Sequence, residues 1–199
     1  MIPPRVLLNT LGIEYIDYHN CLPDIHIKVT EACNRILEMP FKTRPDAQAY
    51  VGHSGGKDSV LVRWLTDSTL GVRVPTIHTP KPWGRKNEVH HLTKEFLYNL
   101  NRPIMYLPDG YLETSAYSHL KVQIDGTRQA EANRRDGRDV GLIINGKEES
   151  RTQTPLYLKK GLFGKSYCYP IYDWSDVEVW TAIFAYDIQF SREYFIPSE

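Results

Sequence analysis

The chain has 199 residues, of which 41% are hydrophobic, and its 24 Lys and Arg residues balance 24 Asp and Glu residues. This length and hydrophobic content suit one folded domain and argue against a disordered chain. The balanced charge does not indicate a nucleic-acid or membrane partner. We find neither a leading apolar run of signal-peptide length nor a stretch near the ~18 apolar residues of a membrane helix, and we therefore expect a cytoplasmic protein.

The three cysteines, Cys21, Cys33 and Cys168, have no C-x-x-C spacing. They argue against a disulfide scaffold, a zinc ribbon and a four-cysteine iron–sulfur site within one chain, so no iron–sulfur cluster is expected. Cys168 lies in an apolar, strand-like run. Its preferred interpretation is a small buried hydrophobic residue, and the alternative is a persulfide-carrying or redox role.

Hydrophobic periodicity divides the chain into alternating helices and strands. The last of these segments has Ser175 as a helix N-cap and Glu178 three positions later, which is the pattern of a capping box. In chain order we predict helix 23–39, strand 48–53, helix 58–69, strand 73–78, helix 86–100, strand 104–107, helix 127–135, strand 140–145 and helix 175–185.

This alternation predicts an α/β fold, a single-domain three-layer sandwich with a mainly parallel sheet. No repeat, low-complexity tract or obvious linker interrupts it. We expect residues 1–47 to form an N-terminal helical extension that packs on the core, and residues 48–199 to form the main domain.

The loops that follow the four predicted strands are expected to lie together. Parallel sheets bind ligands outside the carboxyl ends of their strands. These loops begin near Ser54, His78, Leu107 and Gly146, so the pattern predicts that they line one crevice.

The most informative segment is the sequence SGGKDS at residues 54–59, which lies between a predicted strand and a predicted helix. Gly55 and Gly56 would let backbone N–H groups approach an anion. The helix that begins near Asp58 adds unpaired N–H groups and the positive end of its dipole, and Lys57 adds a point charge. The segment predicts a phosphate-binding site, and the alternative is a plain strand-to-helix turn capped by Ser or Asp.

The spacing of this loop excludes a Walker A motif. Three residues separate Gly52 from Gly56, where the Walker A pattern needs four, and Asp58 follows Lys57 where that pattern needs Ser or Thr. The glycines do not fit G-x-G-x-x-G either.

Three segments together resemble a known family. Residues 54–59 resemble the SGGKDS signature of the PP-loop ATP pyrophosphatases. Residues 146–152 resemble the Gly-x-Arg-Arg-Glu-x-Ser segment, and residues 169–180 the Pro-Leu-x-x-Trp-x-x-x-Asp-Val-Trp stretch, of the phosphoadenosine phosphosulfate (PAPS) reductase-like branch of that adenine nucleotide alpha-hydrolase superfamily. Residues 126–128 (Gly-Thr-Arg) are a competing candidate for the Gly-x-Arg element, and we prefer 146–152 because that segment follows the better predicted strand.

The branch includes PAPS reductases, the ATP sulfurylase small subunit, FAD synthetase and sulfur-inserting DNA phosphorothioation enzymes. The intact loop, and the lack of a cysteine after Cys168, resemble the members that cleave ATP between the α and β phosphates. The resemblance implies that residues 48–199 are a PP-loop nucleotide-binding domain that uses ATP and Mg²⁺, adenylylates an unidentified acceptor and releases pyrophosphate, in a context like sulfur metabolism. The alternatives are a reductase or sulfotransferase that binds PAPS, and a nucleotide-binding subunit that needs a protein partner or a homodimer for activity.

The resemblance also implies roles for individual residues. Lys57 and Asp58 are the expected catalytic residues, and Asp58 is the expected Mg²⁺ ligand, acting together with the phosphates. The backbone near 76–79 is expected to hold the adenine. The expected nucleotide and phosphate contacts are Ser54, Gly55, Gly56, Lys57, Asp58, Ser59, His78, Thr79, Gly146, Lys147 and Arg151. Arg128 and Arg134 are further candidate anion contacts, for which the alternative is a solvated helix face; for His78 the alternative is a polar loop residue.

Overall fold

The computed structural model describes residues 5–79, 91–100, 103–108, 112, 114–129, 143–144, 147–148, 158–160 and 166–195. Its helices are α1 (Arg5–Thr10), α2 (Tyr15–Cys21), α3 (Ile25–Leu37), α4 (Pro45–Gln48), α5 (Lys57–Leu70), α6 (His91–Tyr98) and α7 (Asp176–Ala185), with 3₁₀ helices at Ser115–Tyr117 and Arg192–Phe195. Its strands are β1 (Ala49–Gly52), β2 (Thr76–His78), β3 (Met105–Tyr106), β4 (Val122–Ile124), β5 (Ile143–Ile144), β6 (Lys147–Glu148), β7 (Leu158–Lys160) and β8 (Ser166–Cys168).

The main sheet has the strand order β3-β2-β1-β4-β8-β7. The first five strands of that order are parallel, and β7 pairs with β8 in the antiparallel direction at the edge. Helices flank this sheet, so the predicted α/β fold with a mainly parallel sheet is confirmed. The chain moves outward on one side from β1 to β3 and then returns to the other side of β1 with β4. This reversal leaves a crevice between the carboxyl ends of β1 and β4, where open α/β sheets bind ligands.

Side chains of β1 alternate between two apolar layers, as the period of two in a strand requires. Ala49 and Val51 join the larger buried cluster, which includes residues of α1, α3, α5 and α7. Tyr50 points to the opposite face and packs with Ile77 and Leu107 in a smaller cluster. The N-terminal helices therefore share the core of the sheet, and the proposed boundary at residue 47 stays a prediction.

The predicted fourth strand at 140–145 is wrong as a strand of the main sheet. β5 pairs with β6 in a separate antiparallel two-stranded sheet, and β4 occupies the place beside β1. The true strand is short, and it was overlooked although residues 120–125 alternate apolar and polar side chains, as a half-buried strand does.

The other elements agree better with the predictions. Helices 23–39, 58–69 and 175–185 correspond to α3, α5 and α7, and strands 48–53, 73–78 and 104–107 correspond to β1, β2 and β3. The capping box is present, since Ser175 Oγ accepts from the Glu178 N–H and the Glu178 carboxylate accepts from the Ser175 N–H. Helix 86–100 is confirmed only over α6, and helix 127–135 lies almost wholly outside the described residues. Among the described helices, none has the length and apolar content needed to cross a membrane.

Candidate functional site

A cavity of about 410 Å³ opens at the carboxyl edge of the sheet, at the reversal between β1 and β4. Its walls come from residues 52–54 and 56–59, from the ends of β2 and β4, and from Tyr194. Tyr50, Ile77 and Leu112 give one side of it an apolar character. A volume of this size lies within the range of about 300–1,000 Å³ for small-molecule sites.

The loop at 54–59 is held in shape by its own serines. Ser59 Oγ donates to the Gly56 carbonyl (2.8 Å), and Ser54 Oγ accepts from the Gly56 N–H (3.3 Å) and lies 3.2 Å from Ser59 Oγ. Gly55 has φ +92°, and a Cβ there would lie 2.2 Å from the Thr93 methyl group of α6. The loop thus needs glycine at this position, because both the backbone conformation and the packing exclude a side chain.

Four charged side chains meet at the start of α5, and we call Lys57, Asp58, Arg128 and Asp176 the site cluster. Lys57 Nζ lies 3.2 Å from an Asp58 oxygen and 3.0 Å from Asp176 Oδ1. Arg128 Nη2 lies 2.6 Å from the same Asp176 oxygen, and Arg128 Nε lies 2.8 Å from Asp58 Oδ1. This last contact lacks the angle of a hydrogen bond, so it is an electrostatic pair. The cluster places two cations against two carboxylates and is neutral overall.

The carboxylates keep Lys57 charged although it is largely enclosed. Burial by itself lowers the pKa of the Lys57 ammonium, but Asp58 and the hydrogen bond to Asp176 outweigh it and hold that pKa above its ordinary value. Burial likewise opposes ionisation of Asp176, and its contacts with Lys57 and Arg128 outweigh this and lower its pKa. At neutral pH both members of this pair are therefore ionised.

The segment after β4 brings Arg128 into the cluster. A Cβ on Gly126 would lie 2.7 Å from the Asp58 carbonyl carbon, so only glycine lets this loop pack on the start of α5. Thr127 N–H donates to Asp125 Oδ1 (2.9 Å), and the Arg128 guanidinium donates to the Trp174 carbonyl (3.2 Å). Arg128 is 2% exposed, so its interpretation as part of a solvated helix face is wrong.

The ground for preferring residues 146–152 over residues 126–128, that they follow the better predicted strand, does not hold in the structure. The segment that follows the fourth parallel strand is 126–128, whereas Lys147 lies on β6 of the separate two-stranded sheet. Gly146, Arg151 and Arg134 lie outside the described residues. Their predicted ligand contacts, and that of Lys147, stay predictions.

Two buried histidines support the loop. His78 is 6% exposed, and its Nδ1–H donates to the His53 carbonyl (2.7 Å). His53 Nδ1 accepts from the Gly55 N–H (3.0 Å), which requires the neutral imidazole. Burial, with smaller contributions from Arg63 and His78, lowers the pKa of His53 to about 3. His78 therefore braces the loop from β2, while its neighbour Thr79 lines the cavity.

Asp58 is enclosed by cations, which bears on its predicted role with Mg²⁺. One of its oxygens faces Lys57 and the other faces Arg128. The described residues contain no group of three or more His, Cys, Asp or Glu side chains that could hold a metal ion. In this arrangement Asp58 does not fit a metal ion, which would have to displace one of the two cations.

Sequence reasoning missed three residues of the site. Asp176 was passed over although it directly follows the predicted Ser175 cap, and Asp125 and Tyr194 line the cavity from segments left unassigned. A signal for Asp125 was available, because it directly precedes the competing Gly-Thr-Arg segment. Nothing in the local sequence marks Tyr194, which approaches the loop from 137 residues away along the chain.

Cys168 has the environment of a packing residue. It is 0% exposed in the larger core cluster, and burial raises the pKa of its thiol to about 12. Its Sγ lies 3.8 Å from the Arg35 carbonyl. The preferred interpretation of this residue as a small buried hydrophobe is confirmed.

Comparison with protein-family models and with curated proteins gives no match for this chain.

Proposed function

We propose that the chain belongs to the PAPS reductase-like branch of the PP-loop ATP pyrophosphatases and cleaves ATP between its α and β phosphates, transferring the adenylyl group to an acceptor. One observation carries the proposal. The SGGKDS loop lies at the point where the strand order reverses, with the N-terminus of α5 and the charged Lys57 side chain at a cavity of ligand size. Backbone N–H groups at a helix N-terminus and a nearby ammonium are suited to polyphosphate.

The reaction requires little covalent chemistry from the protein. An oxygen of the acceptor attacks the α phosphorus, a new P–O bond forms, the bond from the α phosphorus to the bridging oxygen breaks, and pyrophosphate leaves with that oxygen. The acceptor's proton passes to solvent. Catalysis therefore depends on position and on charge stabilisation.

The site residues divide these tasks. The N–H groups at the start of α5 bind the departing pyrophosphate, and Lys57 offsets the charge that develops on it. Arg128 is a positioning residue, because it holds the carboxylates of Asp58 and Asp176 that in turn hold Lys57. Mg²⁺ enters only as part of the substrate, bound to the phosphates of ATP. The apolar wall near Tyr50 and Ile77 is suited to a nucleotide base.

A cysteine-dependent PAPS reductase is the weaker candidate. The Cys168 thiol is buried and has a raised pKa, so it is a poor nucleophile. The other two described cysteines, Cys21 and Cys33, do not line the cavity. A PAPS-binding sulfotransferase and a nucleotide-binding subunit stay open as outcomes of the test.

The test is a pyrophosphate-release assay with MgATP and a panel of acceptors, with mass spectrometry of any adenylylated product. We expect release to depend on one acceptor class and to fall by about 100-fold or more in Lys57→Ala, the size of effect that follows loss of a transition-state charge contact. Lys42→Ala is the matched control, because Lys42 is exposed and does not line the cavity.

Binding separates the alternatives. If ATP raises the melting temperature but no acceptor supports release, the subunit proposal is favoured; if PAPS displaces ATP in competition, the PAPS-binding enzyme is favoured. The nucleotide proposal as a whole is refuted if neither ATP nor PAPS, at millimolar concentration, raises the melting temperature.

A further inference from the structure

The phenol of Tyr194 lies at the position where the helix would meet an anion. The Lys57 N–H donates to the Tyr194 hydroxyl oxygen at 2.7 Å. Lys57 is the first residue of α5, and the N–H groups of a first helical turn have no acceptor within their own helix. A Cβ on Gly56 would lie 3.3 Å from the same hydroxyl, so glycine leaves room for its approach. The Tyr194 hydroxyl oxygen thus accepts a hydrogen bond from one of the N–H groups that would bind phosphate.

Contacts on two sides fasten the segment that carries this phenol. On one side, the Tyr194 ring packs edge-on against Trp180 of α7, with ring centroids 5.0 Å apart. On the other side, the Thr93 hydroxyl of α6 donates to the Glu193 carboxylate and lies 3.1 Å from Ser191 Oγ. The same Thr93 presents its methyl group to Gly55 of the loop. The 3₁₀ helix Arg192–Phe195 is therefore connected to both the loop and α6.

A phosphate oxygen would be a stronger acceptor for this N–H than the phenol is. Burial raises the pKa of the Tyr194 phenol, despite the opposing effect of the Lys57 N–H and ammonium, so the group is a neutral acceptor at physiological pH. An ionised phosphate oxygen forms shorter and stronger hydrogen bonds with N–H donors than a neutral hydroxyl does. The hydroxyl thus satisfies the N–H while the site is empty and is the weaker of the two competitors.

We propose that Tyr194 is a gate on the phosphate site: its hydroxyl holds the Lys57 N–H, and a phosphate oxygen must displace it to bind. The proposal rests on the proposed function, because it takes the loop to be a phosphate site. The competing hydroxyl lowers the affinity of the site for phosphate. The contact between Thr93 of α6 and Glu193 strengthens this effect, because it holds the segment that carries Tyr194 in place.

The test is isothermal titration calorimetry with sodium pyrophosphate and with MgATP on the wild type, Tyr194→Phe and Thr93→Val. Phe keeps the ring contact with Trp180 and removes only the competing oxygen, so we expect the Kd for both ligands to fall by about three- to tenfold, the worth of one hydrogen bond. Val keeps a methyl group against Gly55 and removes the hydroxyl that holds Glu193, so Thr93→Val should tighten binding in the same direction by a smaller factor. Tyr186→Phe is the control, because Tyr186 packs against Trp64 and does not line the cavity.

The outcomes separate the two proposals. Tighter binding in Tyr194→Phe, or binding in that variant alone, supports the gate. If the wild type binds both ligands and Tyr194→Phe binds them equally or more weakly, the gate is overturned while the nucleotide site stands. If neither the wild type nor any variant binds pyrophosphate or MgATP, both proposals are overturned. Circular dichroism and melting temperature verify that each variant is folded.

Discussion

Two groups of ion pairs meet at the start of α7, and they differ in what surrounds them. The outer group, which we call the α3–α7 clamp, consists of Arg35–Asp173 and Lys28–Glu178. The side chain of Asp173 is 51% exposed, so water screens its pair. In the site cluster, the Arg128 side chain is 2% exposed and its partner Asp58, which lines the cavity, is 13% exposed, although Asp176 is 45% exposed.

Pairing of opposite charges does not by itself distinguish the two groups. Both groups balance positive with negative charge and both fasten α7 to another element. The clamp ties α3 to α7 and to the turn that precedes it, across a partly exposed surface. The site cluster holds most of its charges out of water, which costs free energy that the pairing must offset.

The largest expected difference is in stability. Arg128→Met leaves two carboxylates facing Lys57 alone, and we expect the free energy of unfolding to fall by about 3–5 kcal/mol, as when one partner of a buried ion pair is removed. Arg35→Met removes a solvent-screened pair and a hydrogen bond to the Pro170 carbonyl, and should cost about 1–2 kcal/mol. Urea denaturation monitored by circular dichroism measures both. Equal losses in the two variants would mean that burial does not distinguish the site cluster from the clamp.

The two groups should also differ in their effect on ligand binding. Asp176→Asn changes the neutral site cluster to a net positive one and removes a competitor for Lys57, so we expect pyrophosphate to bind about three- to tenfold more tightly, in keeping with one charge-assisted contact. Asp173→Asn makes the same chemical change in the clamp and should leave the Kd unchanged. Calorimetry at low and at physiological salt measures both. A matching gain in Asp173→Asn would show that long-range charge, and not contact with Lys57, controls affinity.

Acid titration distinguishes the loop from the clamp by pH range. His53 has a folded pKa of about 3, against 6.5 for the free side chain, so below about pH 6.5 the unfolded chain binds a proton that the folded protein does not. Stability due to this group is complete above pH 6.5 and is lost as pH falls toward 3, by about 1 kcal/mol between pH 6.5 and 5.5. The hydrogen bond from Arg35 lowers the pKa of Asp173, so the clamp weakens only in more acidic solution.

The measurement is urea denaturation of the wild type and His53→Asn at pH 7.5, 6.5 and 5.5. Asn can still accept from the Gly55 N–H but does not titrate. We expect the variant to lose less stability than the wild type across this range. Identical pH dependence would mean that His53 is not buried as a neutral imidazole.

The elements that could be predicted from the sequence are those whose signals are local. The glycine loop, α3 and the capped α7 could be predicted because their signals lie within a few residues of one another. β4 was missed although residues 120–125 alternate apolar and polar side chains, because a longer apolar run elsewhere was given more weight. The site cluster was out of reach for a different reason. Asp176 meets Lys57 through the packing of α7 against α5, and no local pattern records which helix faces which.

The smallest expected effect concerns Cys168, which lies beneath the clamp with its Sγ at 3.8 Å from the Arg35 carbonyl. Because its thiol is buried and its pKa is about 12, a thiol reagent such as DTNB should react with Cys21 and Cys33, which are partly exposed, and leave Cys168 untouched until the protein unfolds. Cys168→Ala should change pyrophosphate release by less than about twofold, because it removes only core packing remote from the transferring phosphate. Rapid labelling of Cys168 in the folded protein would contradict its burial. Loss of turnover in Cys168→Ala without loss of stability would mean that a residue beneath the clamp takes part in the reaction, so that the site cluster would not be the sole location of the chemistry.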